Sequence, residues 1–198
     1  VIMGYAEMLI EDLESDSPHK DKVGQILQSG HRAKDLVAQI LAVSRQTPQE
    51  LGPVMPHLIV KECLKMMRAS LPATIEIAQD IQDSRSVMAD STQLHQIVMN
   101  LVTNAYHAIG ERSGTIGIRL DQVDIRPEDI RVASLKLSPG QMTRLEISDT
   151  GSGISTEDRL KIFDPYFTTK PKEKGTGLGL AIVLGFIKSY GGDISVYS

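Results

Sequence analysis

Two kinds of hydrophobic pattern follow one another along the chain. Up to about Arg45, apolar residues recur with helical spacing in two stretches that SDSPH separates. In the second stretch, two series of small and apolar residues recur every seven positions: Val23, Gly30, Val37 and Ser44, and Ile26, Ala33 and Ile40. Such a seam predicts a helical hairpin over residues 1–46. Two copies would bury their seams in a dimeric four-helix bundle, or one hairpin would pack on its own domain.

After residue 56 the pattern alternates between helices and strands. TPQELGPVMP, with three prolines in ten residues, predicts a linker over 47–56. Helical spacing then occurs in HLIVKECLKMMRAS, from about Thr92 to Ile109, in STEDRLKIF and in LGLAIVLGFIKSYG. Strand patterns occur in TIEIAQDI, SVMA, TIGIRLDQVDI and MTRLEISDT, and one begins in GDISVYS. With a hairpin predicted in RPEDIRVASLKLSPGQ, residues 57–198 are expected to form an α+β domain.

Composition narrows the class of protein. The chain has 198 residues and a net charge of −4, so we expect no nucleic-acid-binding face. No apolar run is long enough to span a bilayer, and no secretory signal opens the chain. The single cysteine, Cys63, lies in an apolar helical pattern and is expected to be a buried, inert thiol in a cytoplasmic protein. Both ends fall inside patterned segments, so we expect the chain to be part of a longer protein.

The long helix carries two amides at one-turn spacing. Asn100 and Asn104 lie four residues apart beside the apolar stripe, and His107 follows three residues later. Asparagine is a mediocre helix former, so two of them in mid-helix suggest a role. An amide oxygen suits Mg²⁺, which takes few protein ligands and keeps water and phosphate oxygens. The alternative is a solvated helix face.

An acidic turn follows the strand in RLEISDTGSGIS. Asp149 ends the strand, and Gly151 and Gly153 allow the backbone to turn and to approach a ligand closely. A carboxylate fixed at a strand end can accept a hydrogen bond from the exocyclic amine of adenine. An Asp-Thr-Gly turn that only closes the strand is the alternative.

A basic, glycine-rich segment precedes the last helix. Lys170, Lys172 and Lys174 are followed by Gly175, Gly177 and Gly179. Bare backbone at a helix N-terminus attracts phosphate, so the lysines beside it could form a phosphate clamp. The alternative, which is the better interpretation of each lysine taken singly, is a solvated lysine-rich loop. The stretch lacks the Gly-Lys-Ser/Thr of a Walker loop, the G-x-G-x-x-G of a dinucleotide fold, and the HRD and DFG motifs of eukaryotic-type kinases.

These blocks, taken in order, resemble the ATP-binding domain of sensor histidine kinases. NLVTNA resembles the N box of that family, DTGSGI its first glycine box, FDPYFTTK its phenylalanine box and GTGLGLAI its second glycine box. YAEML and HRAKDLVAQIL resemble the two helices of its dimerisation and histidine-phosphotransfer hairpin. The resemblance implies a Bergerat-type fold, a two-layer α/β sandwich with a mixed, mainly antiparallel sheet. It implies ATP and Mg²⁺ as cofactors.

The resemblance also implies roles for individual residues. Asn104 would bind Mg²⁺, and Asn100 is the catalytic-site residue that related ATPases replace with a water-activating Glu. Asp149 would bind adenine in a pocket shaped by Gly151 and Gly153. Further contacts to the nucleotide phosphates and the hinge of the family's lid are implied for His107, Lys170, Gly175, Thr176, Gly177, Leu178 and Gly179.

The phosphate acceptor departs from the family pattern. That family phosphorylates a His followed by an acidic residue, but none of the five histidines here has one: His19, His31, His57, His95 and His107. We therefore expect the acceptor upstream of Val1, where the full protein could also be membrane-anchored. The implied partners are a second copy of the chain, through the hairpin, and a response-regulator receiver domain. An ATP-hydrolysing dimerisation switch of the gyrase, chaperone or mismatch-repair type, or a degenerate nucleotide-binding scaffold, are the alternatives.

Overall fold

The structure, a computed structural model, describes residues 2–13, 17–27, 29–30, 51–126, 137–170 and 176–198. The chain divides into two compact units, Val1–Gln46 and Thr47–Ser198.

The first unit is helical over its described residues. Helix α1 covers Ile2–Asp12, and residues 20–27 and 29–30 are helical as well. The second stretch starts after a turn in which the Lys20 N–H donates to the Ser17 carbonyl (3.1 Å). Tyr5 and Met8 remain exposed. Most of the second predicted helix lies outside the described residues, so the hairpin and its four-helix bundle stay predictions.

The second unit contains five strands and four helices among its described residues. In chain order they are β1 (Gly52–Val54), α2 (Pro56–Ser70), β2 (Ile75–Ile81), β3 (Val87–Ala89), α3 (Ser91–Ile109), β4 (Gly114–Ile125), β5 (Gly140–Asp149), α4 (Thr156–Arg159) and α5 (Gly179–Ser189). The short helix α4 is capped by Ser155, whose side chain accepts from the Asp158 N–H.

The strands form two sheets with mixed pairing. In the larger sheet the order is β2-β4-β5, with β2 parallel and β5 antiparallel to β4. The smaller one is an antiparallel ribbon of β1 and β3, in which Pro53 pairs with Met88. Two of the three pairings are antiparallel. The expected α+β fold with a mixed, mainly antiparallel sheet is confirmed.

One layer of helices packs on one face of the larger sheet. The shared core is built from α2, α3, β2 and β4, and Leu145 and Ile147 of β5 pack against it. Its buried members include Val60, Cys63, Leu64, Met67, Ile75, Val98, Val102, Ala105, Ile109, Ile116, Ile118 and Leu120. Burial raises the pKa of the Cys63 thiol to about 11, so the cysteine is an inert core residue as expected.

Three segments differ from the sequence expectations or lie mostly outside the described residues. The strand expected in GDISVYS is wrong, because residues 192–198 form no ladder with a described strand and the Ile194 N–H donates to the Asp193 side chain instead (2.8 Å). The predicted linker includes β1 and the first residue of α2, so its end is part of the second unit's structure. Most of the hairpin expected in RPEDIRVASLKLSPGQ lies outside the described residues.

Candidate functional site

Helix α3 is fixed at both ends, which sets where its amides point. Asp90 caps its start by accepting from the N–H groups of Thr92 (2.8 Å) and Gln93 (3.2 Å). Gly110, at φ 70°, ends it in a conformation that favours glycine. Between them, residues such as Val98 and Val102 are buried against the sheet. Asn100 and Asn104 lie beside this buried stripe and are partly buried.

Helix α5 brings its first residue against the two amides. A Cβ atom added to Gly179 would lie 3.5 Å from Asn100 Oδ1 and 3.9 Å from Asn104 Nδ2. At the other end of α5, the Tyr190 hydroxyl donates to Gln93 Oε1 (2.6 Å) and accepts from the Asp90 N–H (3.2 Å). The two helices therefore run antiparallel. The N-terminus of α5, where N–H groups have no partner within the helix, lies beside Asn100 and Asn104.

Asn100 has a buried donor that no described group satisfies. Its Nδ2 atom is inaccessible to solvent and has no hydrogen-bond partner among the described residues. An unpaired buried amide costs about 1–3 kcal/mol, so such a group needs an explanation. An acceptor brought in by a ligand would satisfy it. Together with the N-terminus of α5, this donor fits an anionic ligand such as a phosphate group.

Lys170 reaches across to α3. Its Nζ atom lies 3.1 Å from Asn104 Oδ1 and 3.1 Å from His107 Nδ1. Burial lowers the pKa of the Lys170 ammonium group. An ammonium group only donates hydrogen bonds, so Asn104 offers its carbonyl oxygen and His107 an unprotonated Nδ1. The structure thus brings the predicted residues Asn104, His107 and Lys170 into direct contact.

The Asp149 turn is held against the end of the same helix. Asp149 Oδ1 accepts from the Gly151 N–H (2.8 Å), and the Ser152 N–H donates to the Ala108 carbonyl (3.0 Å). A Cβ atom on Gly151 would lie 2.5 Å from the Ala108 carbonyl carbon, and Gly153 has a φ of 72°. Both glycines are therefore needed here, for close approach and for a left-handed turn. The Asp149 carboxylate remains exposed.

The glycines of the second glycine box make two different close contacts. Gly177, at φ 67°, accepts from the Tyr166 N–H (2.9 Å), and its added Cβ would lie 2.4 Å from the Tyr166 carbonyl carbon. Leu178 is buried at the start of α5, and its N–H approaches Thr176 Oγ1 (3.4 Å). Gly179 makes the close approach to α3 described above. Gly175, and the lysines at 172 and 174, lie outside the described residues.

Two residues of this region were missed by the sequence reasoning. Tyr166 has a φ of 70°, rare for a non-glycine residue, and Tyr190 joins α5 to the start of α3. For Tyr190, the signal in the sequence was its position directly before Gly191 and Gly192, where α5 ends. No sequence pattern indicated the positive φ of Tyr166.

A metal ion would depend on few protein ligands here. Among the described residues, no group of three or more His, Cys, Asp or Glu side chains could hold one. A single amide oxygen, completed by phosphate oxygens and water, is a donor set that suits Mg²⁺ bound to a nucleotide. Asn104 Oδ1 already holds an ammonium cation in this structure, so the residues present fit such an ion. No described helix has the length and apolar character needed to cross a membrane.

Comparison with known proteins identifies the family. Residues 89–198 match the family of histidine kinase-, DNA gyrase B-, and HSP90-like ATPases. The chain belongs to this family. The matched region includes α3, the Asp149 turn and the second glycine box.

Within this ATPase family, the proteins similar to this chain include sensor histidine kinases. The chain is 36% identical to the sensor kinase CckA of Brucella abortus (strain 2308) over 98% of its residues, and 30% identical to the signal transduction histidine-protein kinase AtoS of Escherichia coli (strain K12) over its whole length. It spans 20% of the length of CckA and 30% of that of AtoS. The recognised resemblance to histidine kinases is confirmed.

Solved structures agree with the fold. The mycobacterial sensor histidine kinase MprB superimposes with a TM-score of 0.57 at 28% identity, covering 71% of this chain and 80% of that one. Histidine kinase ThkA, in complex with the response regulator protein TrrA, superimposes with a TM-score of 0.64 at 24% identity, covering 96% of this chain and 51% of that one.

Proposed function

We propose that the chain is the catalytic core of a sensor histidine kinase. It binds Mg·ATP beside α3, and the γ-phosphoryl group is transferred to a His of the dimerisation domain and then to an Asp of a response regulator. Sensor kinases match it along 98% or more of its residues, which supports this class over the other ATPases of the family. ThkA, solved with a response regulator, supports the kind of partner.

The observation that carries the proposal is the environment of Asn100. Its buried, unpaired Nδ2 lies beside the N-terminus of α5, where a phosphate oxygen or its bound water would accept from it. An amide cannot take a proton from water at neutral pH, whereas a Glu at this position could. The site is therefore suited to phosphoryl transfer by positioning and charge neutralisation rather than to hydrolysis.

The other residues complete a nucleotide site. We assign Mg²⁺ binding to Asn104, phosphate contacts to Lys170 and His107, and adenine recognition to Asp149, whose exposed carboxylate can accept from the N6 amine. Bound Mg²⁺ would neutralise phosphate charge during transfer. The segment 175–179 would contact the phosphates, with Gly177 and Gly179 providing the close approaches already described.

The same proposal covers the organisation of the whole chain. Residues 1–46 would be the dimerisation and histidine-phosphotransfer hairpin, and the ATP-binding domain would begin with β1 rather than at residue 57, so that the linker between them ends before Gly52, in a cytoplasmic homodimer. Tyr5 and Met8, exposed on α1, are apolar surface that a second copy would cover. Since none of the five histidines has an acidic neighbour after it, we place the acceptor outside residues 1–198.

Incubation of the chain with Mg²⁺ and γ-labelled ATP tests this function. We expect nucleotide binding, no acid-labile label on the chain itself, and phosphate release no faster than in the Asn104→Ala variant, which should not hold Mg²⁺. Strong acid-labile labelling would contradict the placement of the acceptor. Rapid phosphate release that depends on Asn104 would instead indicate an ATP-hydrolysing switch.

A further inference from the structure

The ammonium group of Lys170 occupies the oxygen to which we assign the metal ion. Its partners Asn104 and His107 are 66 and 63 residues away along the chain, so the fold rather than local sequence creates the contact. The Lys170 N–H donates to Thr168 Oγ1 (3.1 Å), which fixes the turn from which the side chain extends. The contact is thus supported from both sides, by a turn and by a helix face.

The chemistry of the three groups defines one arrangement. Lys170 can only donate, so the Asn104 carbonyl oxygen and the His107 Nδ1 both act as acceptors. His107 is then a neutral ring with its proton on Nε2. This arrangement satisfies Asn104 Oδ1 without a metal ion, whereas Asn100 Nδ2 remains without a described partner.

Lys170 and a divalent cation would compete for this oxygen. Mg²⁺ binds oxygen at about 2.0–2.1 Å, and its octahedral geometry is strict. With its nitrogen 3.1 Å from the same atom, the ammonium group would lie about 4–5 Å from the metal, where like charges repel in a partly buried site. Binding of one cation therefore weakens binding of the other.

We propose that Lys170 holds the place of the divalent cation on Asn104, and that metal-bound nucleotide displaces it whereas metal-free nucleotide does not. The inference rests on the proposed function, because it requires a nucleotide site. The displaced ammonium group finds new acceptors in the phosphates that arrive with the metal. Lys170 is therefore a positioning residue, and its release from Asn104 and His107 depends on whether the bound nucleotide carries a metal ion.

Histidine-detected NMR of the ¹⁵N-labelled 198-residue chain tests the exchange. His107 Nδ1 is followed in three states: the free chain, ADP with EDTA, and ADP with MgCl₂. The Gly151 amide reports nucleotide binding independently. We expect ADP with EDTA to shift Gly151 and leave His107 Nδ1 in place. Adding Mg²⁺ should then move Nδ1 downfield, because an unprotonated ring nitrogen that loses its hydrogen bond shifts in that direction.

Two variants separate the lysine contact from other effects of the ligand. In Lys170→Met, Nδ1 should already lie downfield in the free chain, and most of its response to Mg²⁺ should be lost. Lys161→Met removes the same charge from an exposed position and should behave like the wild type. The three wild-type spectra test the inference even without a folded Lys170 variant.

The possible results lead to different conclusions. The inference is overturned if ADP with EDTA moves Nδ1 as far as Mg·ADP does, or if Mg·ADP shifts Gly151 and leaves Nδ1 unmoved. It is also overturned if Lys170→Met keeps the full wild-type response. If no form of ADP shifts Gly151, the proposed function itself has failed.

Discussion

The two ends of the site are held by different kinds of contact. At one end, the Asp149 turn is fixed to α3 through backbone groups, and its carboxylate is oriented by the Gly151 N–H. At the other end, Lys170, Asn104 and His107 satisfy one another through side chains alone. Side-chain contacts can be exchanged without moving the backbone, so the first end is suited to recognition and the second to changing its partners.

Gly177→Ala should have the largest effect, because it disrupts the backbone contact between Gly177 and Tyr166, which lies four residues before Lys170. Alanine at φ 67° costs about 1–2 kcal/mol, and its Cβ would overlap the Tyr166 backbone, which adds about 1–3 kcal/mol. Chemical denaturation should show the loss of stability, and ADP binding should weaken. Gly185→Ala in α5, where a Cβ meets nothing within 4 Å, is the control and should stabilise by about 0.5–1 kcal/mol.

Gly151→Ala breaks the fixed end. Its Cβ would lie 2.5 Å from the Ala108 carbonyl carbon, so the turn must move away from α3 at a cost of about 1–3 kcal/mol. We expect ADP affinity to fall whether or not Mg²⁺ is present. Calorimetric titration in EDTA and in MgCl₂ would show this, and a loss confined to the Mg²⁺ condition would argue against a recognition role for the turn.

Tyr190→Phe weakens the packing that aligns the two ends. The variant removes the hydroxyl that links the end of α5 to Gln93 and to the Asp90 N–H, and a hydrogen bond contributes about 0.5–1.5 kcal/mol. The free energy of unfolding, measured by urea denaturation, should fall by about 1 kcal/mol. No change in stability would mean that the apolar contacts between α3 and α5 set their alignment.

Lys170→Met should change stability least. Its contacts join groups that water can also satisfy, so the free energy of unfolding should change by no more than about 0.5 kcal/mol. Urea denaturation without nucleotide would check this, with Lys161→Met as the control. A loss as large as that of Gly151→Ala would show that the lysine contact is structural, and the distinction between the two ends would fail.

Much of the site could be predicted from local patterns. Helical period and turn chemistry were sufficient to identify α3 with its two amides, and the Asp149 turn with its glycines. These features depend on residues a few positions apart, where spacing alone determines which side chains share a face. The order of the blocks supplied the family.

The remaining features depend on contacts that are distant in sequence. Gly177 lies against the backbone of Tyr166, whereas Gly179 lies against α3. The spacing of the glycines in the sequence predicts neither contact. Residues 192–198 have a strand-like pattern, but a strand needs a ladder partner and none of the described strands pairs with them. The ribbon strand β1 is only three residues long and contains Pro53, so its pattern was that of a linker.

Calorimetric titration of ADP into Asp149→Asn tests the central claim most directly. An amide at this position would present a donor as well as an acceptor and lose its charge, so we expect affinity to fall at least tenfold, since a hydrogen bond to a charged group contributes about 1.5–3 kcal/mol. Asp124→Asn, an exposed position in β4, removes the same charge and should bind ADP as the wild type does. Equal affinity in wild type and both variants, or no binding of Mg·ADP to the wild-type chain, would contradict the assignment of this site to ATP.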